Sequence, residues 1–166
     1  MNIFMPEVLI ANSVMTLDDR RLIKQILECY QIIRINERVL AGEENVGYRN
    51  HPVVKFYRDK IPFVIKYGMV ACSEYFVRFC KCHTYQDFFT DHWRNYPQIS
   101  DIYNVLYCEK RSTELYEKSV EYDVKNHRLE DVHLLFREKL INKWNNDKRK
   151  PTWTGIQCPN WYKNKE

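Results

Sequence analysis

Residues 17–40 read LDDRRLIKQILECYQIIRINERVL, and this stretch decides the fold. Leu22, Ile26, Cys29 and Ile33 recur at helical spacing, as do Ile23, Leu27 and Tyr30. Thr16-Leu17-Asp18-Asp19 is a T-x-x-D start signal ahead of that run. Ala41-Gly42 is a stop, because glycine suits the left-handed turn that ends a helix. The spacing predicts one long helix over 17–40, apolar nearly all round and therefore central.

Outward from it, a polar loop covers 43–52, and a second long helical stretch covers 53–81 with Pro62 breaking or kinking it near Lys60-Ile61. Thr84-Tyr85-Gln86-Asp87 opens a short helix carrying Phe88 and Phe89. Residues 90–111 read as irregular, then helices follow over 112–126 and 129–145 until Lys150-Pro151. Nowhere does an apolar/polar alternation call for a strand. The expected class is all-α: a compact single domain, 1–166, with two long central helices and an extended basic aromatic tail over 148–166.

Composition narrows the function. Only 4 of the 166 residues are Gly, which excludes a Gly-rich phosphate loop. The 8 Phe, 12 Tyr and 4 Trp argue against disorder. No apolar run approaches the length of a membrane span, and the first residues lack the pattern of a secretory signal. A cytoplasmic chain with reduced thiols is expected, a viral protein in host cytoplasm included. Cys80, Cys82 and His83 form a C-x-C-H cluster without a matching second pair, so it reads as buried small residues at a helix end. No metal, cofactor or membrane partner is expected, and the oligomeric state is open.

The net charge of +4 is unevenly placed: residues 137–166 hold eight Lys/Arg against three Asp/Glu, and three of the four Trp. In that tail Lys148, Arg149 and Lys150 are interleaved with Trp153, Trp161 and Tyr162. Cations neutralise phosphates and aromatics stack on bases, so nucleic-acid contact is one reading. The other folds the tail back, with Trp144 and Trp153 filling the core.

Two polar stripes interrupt the helices. Arg21, Lys24, Glu28 and Gln31 share a face of the first, and Glu74, Arg78 and Lys81 a face of the second. Either both are solvated faces with weak ion pairs, or they meet, and a partly buried carboxylate ringed by cations marks a site for a phosphate-bearing ligand. The loop Gly47-Tyr48-Arg49-Asn50-His51-Pro52 concentrates further chemistry. Gly47 permits a tight turn, Asn50 is either a helix N-cap or a ligand group, and His51 either holds a structural hydrogen bond or moves a proton. His83 is placed to close the same site. His92, His127 and His133 read as surface residues.

The segment Val39-Leu40-Ala41-Gly42 followed by Gly47-Tyr48-Arg49-Asn50-His51-Pro52 resembles the corresponding stretch of the pyrimidine-dimer DNA glycosylase family, phage-type members included. The acid-containing helix from Asp19 to Gln31, the pattern Glu74-Tyr75…Arg78…Lys81…His83 and the tail Arg149-Lys150-Pro151-Thr152-Trp153 are similar to the same family. The resemblance implies an all-α DNA glycosylase with abasic-site lyase activity. Its nucleophile would be the N-terminal amine, at Met1 or, after Met removal, at Asn2, and Glu28 its acid/base. Arg21, Lys24, Arg49, Arg78 and Lys81 would bind phosphate, with Gln31, Asn50, His51, Glu74 and His83 contacting substrate. An α-amine ordinarily titrates near pH 8, so a useful fraction is nucleophilic at neutrality. Where the family flanks its Glu with two Arg, this chain has Leu27 and Gln31. The alternative is a non-catalytic phage-type protein that sequesters a nucleotide in the same cationic pocket.

Overall fold

In the computed structural model, residues 1–7, 9–95 and 129–163 are described. Among them are seven helices and no strand: α1 (Ile10–Thr16), α2 (Asp19–Leu40), α3 (Pro52–Phe56), α4 (Ile61–Phe79), α5 (Gln86–Asn95), α6 (Leu129–Asn146) and α7 (Asn160–Lys163). The all-α expectation holds. The helix expected over 112–126, with Cys108 and His127, lies outside the described residues. None of the described helices is long and apolar enough to cross a membrane.

The two long helices, α2 and α4, pack against each other more extensively than any other pair. Leu22, Ile26, Cys29, Ile32 and Ile33 form the buried face of α2, all fully shielded, opposite Val64, Ile65, Tyr67, Ala71 and Cys72 of α4. Each such aliphatic side chain contributes about 1.5–3 kcal/mol. α2 is nevertheless not apolar all round in use: Ile23 and Leu27 are 42% and 37% exposed. Its end is as expected, with Gly42 at φ 84°. Its start is not. Asp18 is the N-cap residue and makes no capping bond to the helix. Thr16 instead closes α1, a helix the sequence pattern did not reveal, by donating to Ser13 O at 2.7 Å. Pro62 starts α4 rather than kinking a longer helix, because a proline at the first turn has no amide to lose.

Where α4 meets α5 the fit is close. A Cβ added at Gly68 would fall 2.2 Å from the Phe89 ring, and that ring is fully buried. Gly68→Ala should therefore cost about 1–3 kcal/mol, the usual penalty for overpacking, despite the better helix propensity of Ala. Chemical denaturation of the pair of proteins measures it.

The N-terminal segment has no helix, yet Ile3, Phe4 and Met5 are buried. Side chains from three helices tie it down. Gln25 of α2 accepts from Phe4 N at 2.8 Å. The Tyr67 hydroxyl of α4 donates to Phe4 O at 2.7 Å. From α6, His133 Nδ1 meets Met5 O at 2.8 Å and Arg137 donates to Pro6 O at 3.0 Å. His133 is thus buried, not a surface residue, and His92 is part-buried between Glu37 and Phe88 O. Cys80 and Cys82 are exposed, contrary to the expected buried cluster. Cys80 supplies the left-handed turn that ends α4, at φ 51°. Among the described residues no three His, Cys, Asp or Glu side chains gather as metal ligands.

The tail folds back. Residues 147–159 are irregular, and α7 then adds a helical turn where an extended chain was expected. Trp153, Trp161 and Tyr162 pack around the buried Trp144, with ring centroids 5.2, 5.5 and 4.8 Å from it. Trp153 Nε1 donates to Thr16 O at 3.1 Å and Trp161 Nε1 to Glu7 at 3.2 Å. These aromatics are therefore engaged within the protein, while Lys148, Arg149 and Lys150 remain exposed.

Candidate active site

One helical turn of α2 and the first residues of the chain build the centre. Glu28 lies on the flank of α2 that faces the N-terminal segment, and it is 7% exposed. Asn2 N donates to Glu28 Oε2 at 3.0 Å and Gln25 Nε2 to the same oxygen at 3.2 Å. Gln25, one turn earlier and buried, also donates to Asn2 O at 2.5 Å. It grips both the backbone that carries the amine and the carboxylate that faces it. With Oε2 held by two N–H groups, Oε1 is the oxygen left for chemistry. The Met1 ammonium nitrogen lies 4.0 Å from it, and Lys24 Nζ 3.7 Å.

These groups line a groove of about 690 Å³ between the N-terminal segment, α2 and the end of α6. Arg20, Arg21, Lys24 and Lys143 give it positive charge, and Asp147 sits among them. Of the first polar stripe, Arg21, Lys24 and Glu28 line the groove, and Gln31 does not. The stripe is therefore neither a solvated face nor a partner of the second stripe. Lys143 adds its ammonium over the Phe4 ring, 5.9 Å from the centroid. Lys143 counts among the cations of the basic, aromatic C-terminal region, whereas Asn142, Asn146 and Asp147, around the same end of α6, were not singled out by the sequence pattern. Leu140, Ile141 and Trp144 are buried on one side of α6, and the helical spacing alone gives no sign of what its other side approaches.

The loop 44–51 lines a second, shallow hollow of about 570 Å³. Its left-handed residue is Tyr48, at φ 61° and 70% exposed, and not Gly47. Arg49 donates to Glu44 O at 2.6 Å, and Arg58 pins the loop by donating to Arg49 O at 2.8 Å. The N-cap of α3 is His51, whose Nδ1 accepts from Val53 N at 3.2 Å, and Asn50 is exposed. Burial, and next the positive N-terminal amine, push the His51 imidazole below its ordinary range; Glu28 pulls the other way. His51 is thus within electrostatic reach of the amine and Glu28, and its accepting Nδ1 leaves the proton of the neutral ring on Nε2.

The second stripe has a different job. The Arg78 side chain has no exposed surface. Its Nε donates to Glu74 at 2.8 Å, its Nη1 to Leu17 O at 2.7 Å and Asp19 at 3.2 Å, and its Nη2 to Met15 O at 3.1 Å and Val14 O at 3.5 Å. All five guanidinium protons are used, so none is left for a phosphate. Asp19 also accepts from Thr152 and Thr154 of the tail. Burial alone would raise its carboxyl, but the Thr154 amide and hydroxyl, Arg78 and Thr152 outweigh that and hold it below the usual range. Arg78 and Asp19 therefore join α4, α2 and the tail. Lys81 is exposed with its ammonium 5.9 Å from the Tyr75 ring centroid. His83 packs against Tyr75 and Tyr85 at 4.9 and 5.5 Å. Glu74, Arg78, Lys81 and His83 do not line the groove.

Residues 1–87, just over half of the chain, match the family model for pyrimidine dimer DNA glycosylase. Neither a curated protein nor a solved structure matches the chain. The matched span contains the amine, Gln25, Glu28 and the N-H-P loop; the α6 wall of the groove lies beyond it.

Proposed function

The chain belongs to the pyrimidine dimer DNA glycosylase family, and from that premise we propose that it removes damaged or modified pyrimidines from DNA and cleaves the strand at the resulting abasic site through an N-terminal amine. One observation carries the reading: the Met1 amine and the Glu28 carboxylate share the floor of a cation-lined groove, 4.0 Å apart.

The amine, deprotonated, adds its lone pair to C1′ of the sugar as the bond to the base breaks and the base leaves with that electron pair. Glu28 Oε1 faces the positive charge that develops on the sugar and stabilises it. Glu28 then takes a proton from the newly bonded nitrogen and passes it to the ring oxygen as the C1′–O bond breaks, leaving a protonated Schiff base. In the lyase step the same carboxylate takes a proton from C2′, and the 3′ phosphate departs. Arg21 and Lys24 hold the strand by its phosphates, while His51 lies within electrostatic reach of the amine. Burial of the Asn2 and Gln25 bonds keeps the carboxylate aimed throughout.

Borohydride trapping on duplexes bearing an abasic site or a pyrimidine dimer tests this. A covalent protein–DNA adduct that forms only with reductant is expected. Absence of an adduct, with saturable binding of a free nucleotide instead, would replace this reading by the sequestering one.

A further inference from the structure

We propose that the α6 end of the groove is a phosphate-binding subsite built on Arg21, and that the Asp147 carboxylate occupies it as an internal stand-in that an incoming phosphate displaces. The proposal rests on the groove being a nucleic-acid site, and deepens it by assigning the chemistry of its far end.

Arg21 has two carboxylate neighbours of unequal character. Asp18 is fully buried, accepts from Trp144 Nε1 at 2.7 Å, and has Oδ2 3.6 Å from Arg21 Nη1. It is a fixed counter-ion, locked into the core by the tryptophan. Asp147 lies just past the end of α6, in the irregular segment, with a side chain 22% exposed. Its Oδ2 contacts Arg21 Nη1 directly and lies 3.5 Å from Arg20 Nη2. Lys143 also acts on it, and these cations, the Arg21 hydrogen bond first, hold its carboxyl below the usual range. Besides Glu28, the groove thus holds a second carboxylate, Asp147, in the irregular segment past α6, where Arg20, Arg21 and Lys143 converge.

A guanidinium fork accepts a phosphate in the same way as a carboxylate, and a phosphate brings more oxygens and spread charge to the other cations. The Met1 amine and Glu28 lie at the other end of the same groove, so a phosphate on Arg21 would flank the reacting sugar. Asp147 would set affinity by competing, which makes it a specificity and positioning residue, not a catalytic one.

The test compares wild type, Asp147→Asn, Arg21→Gln and the double variant for binding a duplex with a non-reacting abasic analogue, by fluorescence anisotropy. Asp147→Asn should tighten binding about threefold or more, and the gain should vanish when Arg21 is absent. An unchanged or weaker affinity overturns the proposal. So does a gain that persists in the double variant, since that is only the effect of net charge. If no protein binds duplex DNA, the repair reading fails, and inorganic phosphate decides the subsite. A saturable shift of the Arg21 Nε–H NMR signal, at lower phosphate in Asp147→Asn, then supports it for free phosphate; no shift in either protein overturns it.

Discussion

Glu28→Gln should remain folded and still bind an abasic duplex, but lose about 10²–10⁴-fold in the single-turnover rate of strand cleavage. The substitution is nearly isosteric. The amide oxygen can take the place of Oε2 and keep both bonds, from Asn2 N and Gln25 Nε2. The amide nitrogen then replaces Oε1, the atom 4.0 Å from the amine. It cannot accept a proton from C2′, it cannot donate one as an acid, and it offers no charge to a sugar cation. Binding should change little, because the groove's cations remain. Unchanged cleavage by the variant would mean that Glu28 serves only to fix the N-terminus, and the acid/base role would be lost.

The largest effect on stability should come from Arg78, at a position that touches no substrate. Arg78→Met should lower stability by about 3–5 kcal/mol, the usual cost of leaving buried charges without their partner. It strands the Glu74 and Asp19 carboxylates and the carbonyls of Val14, Met15 and Leu17. For a chain of this size the melting temperature should fall by about 10 °C. Arg78→Lys should restore little, since one ammonium cannot reach acceptors arranged around a planar fork. A thermal melt and a DNA-binding isotherm separate this from a phosphate contact. If the melting temperature holds and DNA affinity falls, the structural assignment is wrong.

Arg78 also shows where the sequence was legible and where it was not. The end of α2 and the start of α4 were readable because their signals are local: Gly42 can take a left-handed φ cheaply, and Pro62 has no amide to give. Glu28 and its stripe were visible as polar residues at helical spacing. What the stripe faced was not. Arg21-Lys24-Glu28 and Glu74-Arg78-Lys81 are the same kind of pattern, yet one lines an open groove and the other sends Arg78 into the core, because five acceptors from α1, the α1–α2 junction, α2 and α4 meet there. A guanidinium is buried only when every donor is matched, and that matching is set by tertiary contacts of more than 50 residues' separation. Gln25 was passed over for the reverse reason. On a helix face otherwise apolar it looks like an interruption, whereas it is the polar clamp that places the amine. The tail's tryptophans could face bases or the core equally well by composition; the burial of Trp144 and its bond to Asp18 decide for the core.

The central claim is that the nucleophile is the N-terminal amine beside Glu28. Digestion of the borohydride-trapped complex, followed by mass spectrometric mapping of the modified residue, addresses it most directly. The account predicts a single sugar adduct on the α-nitrogen of the first residue. An adduct on Lys24, the other amine within 4 Å of Glu28, or on any other lysine, would contradict it.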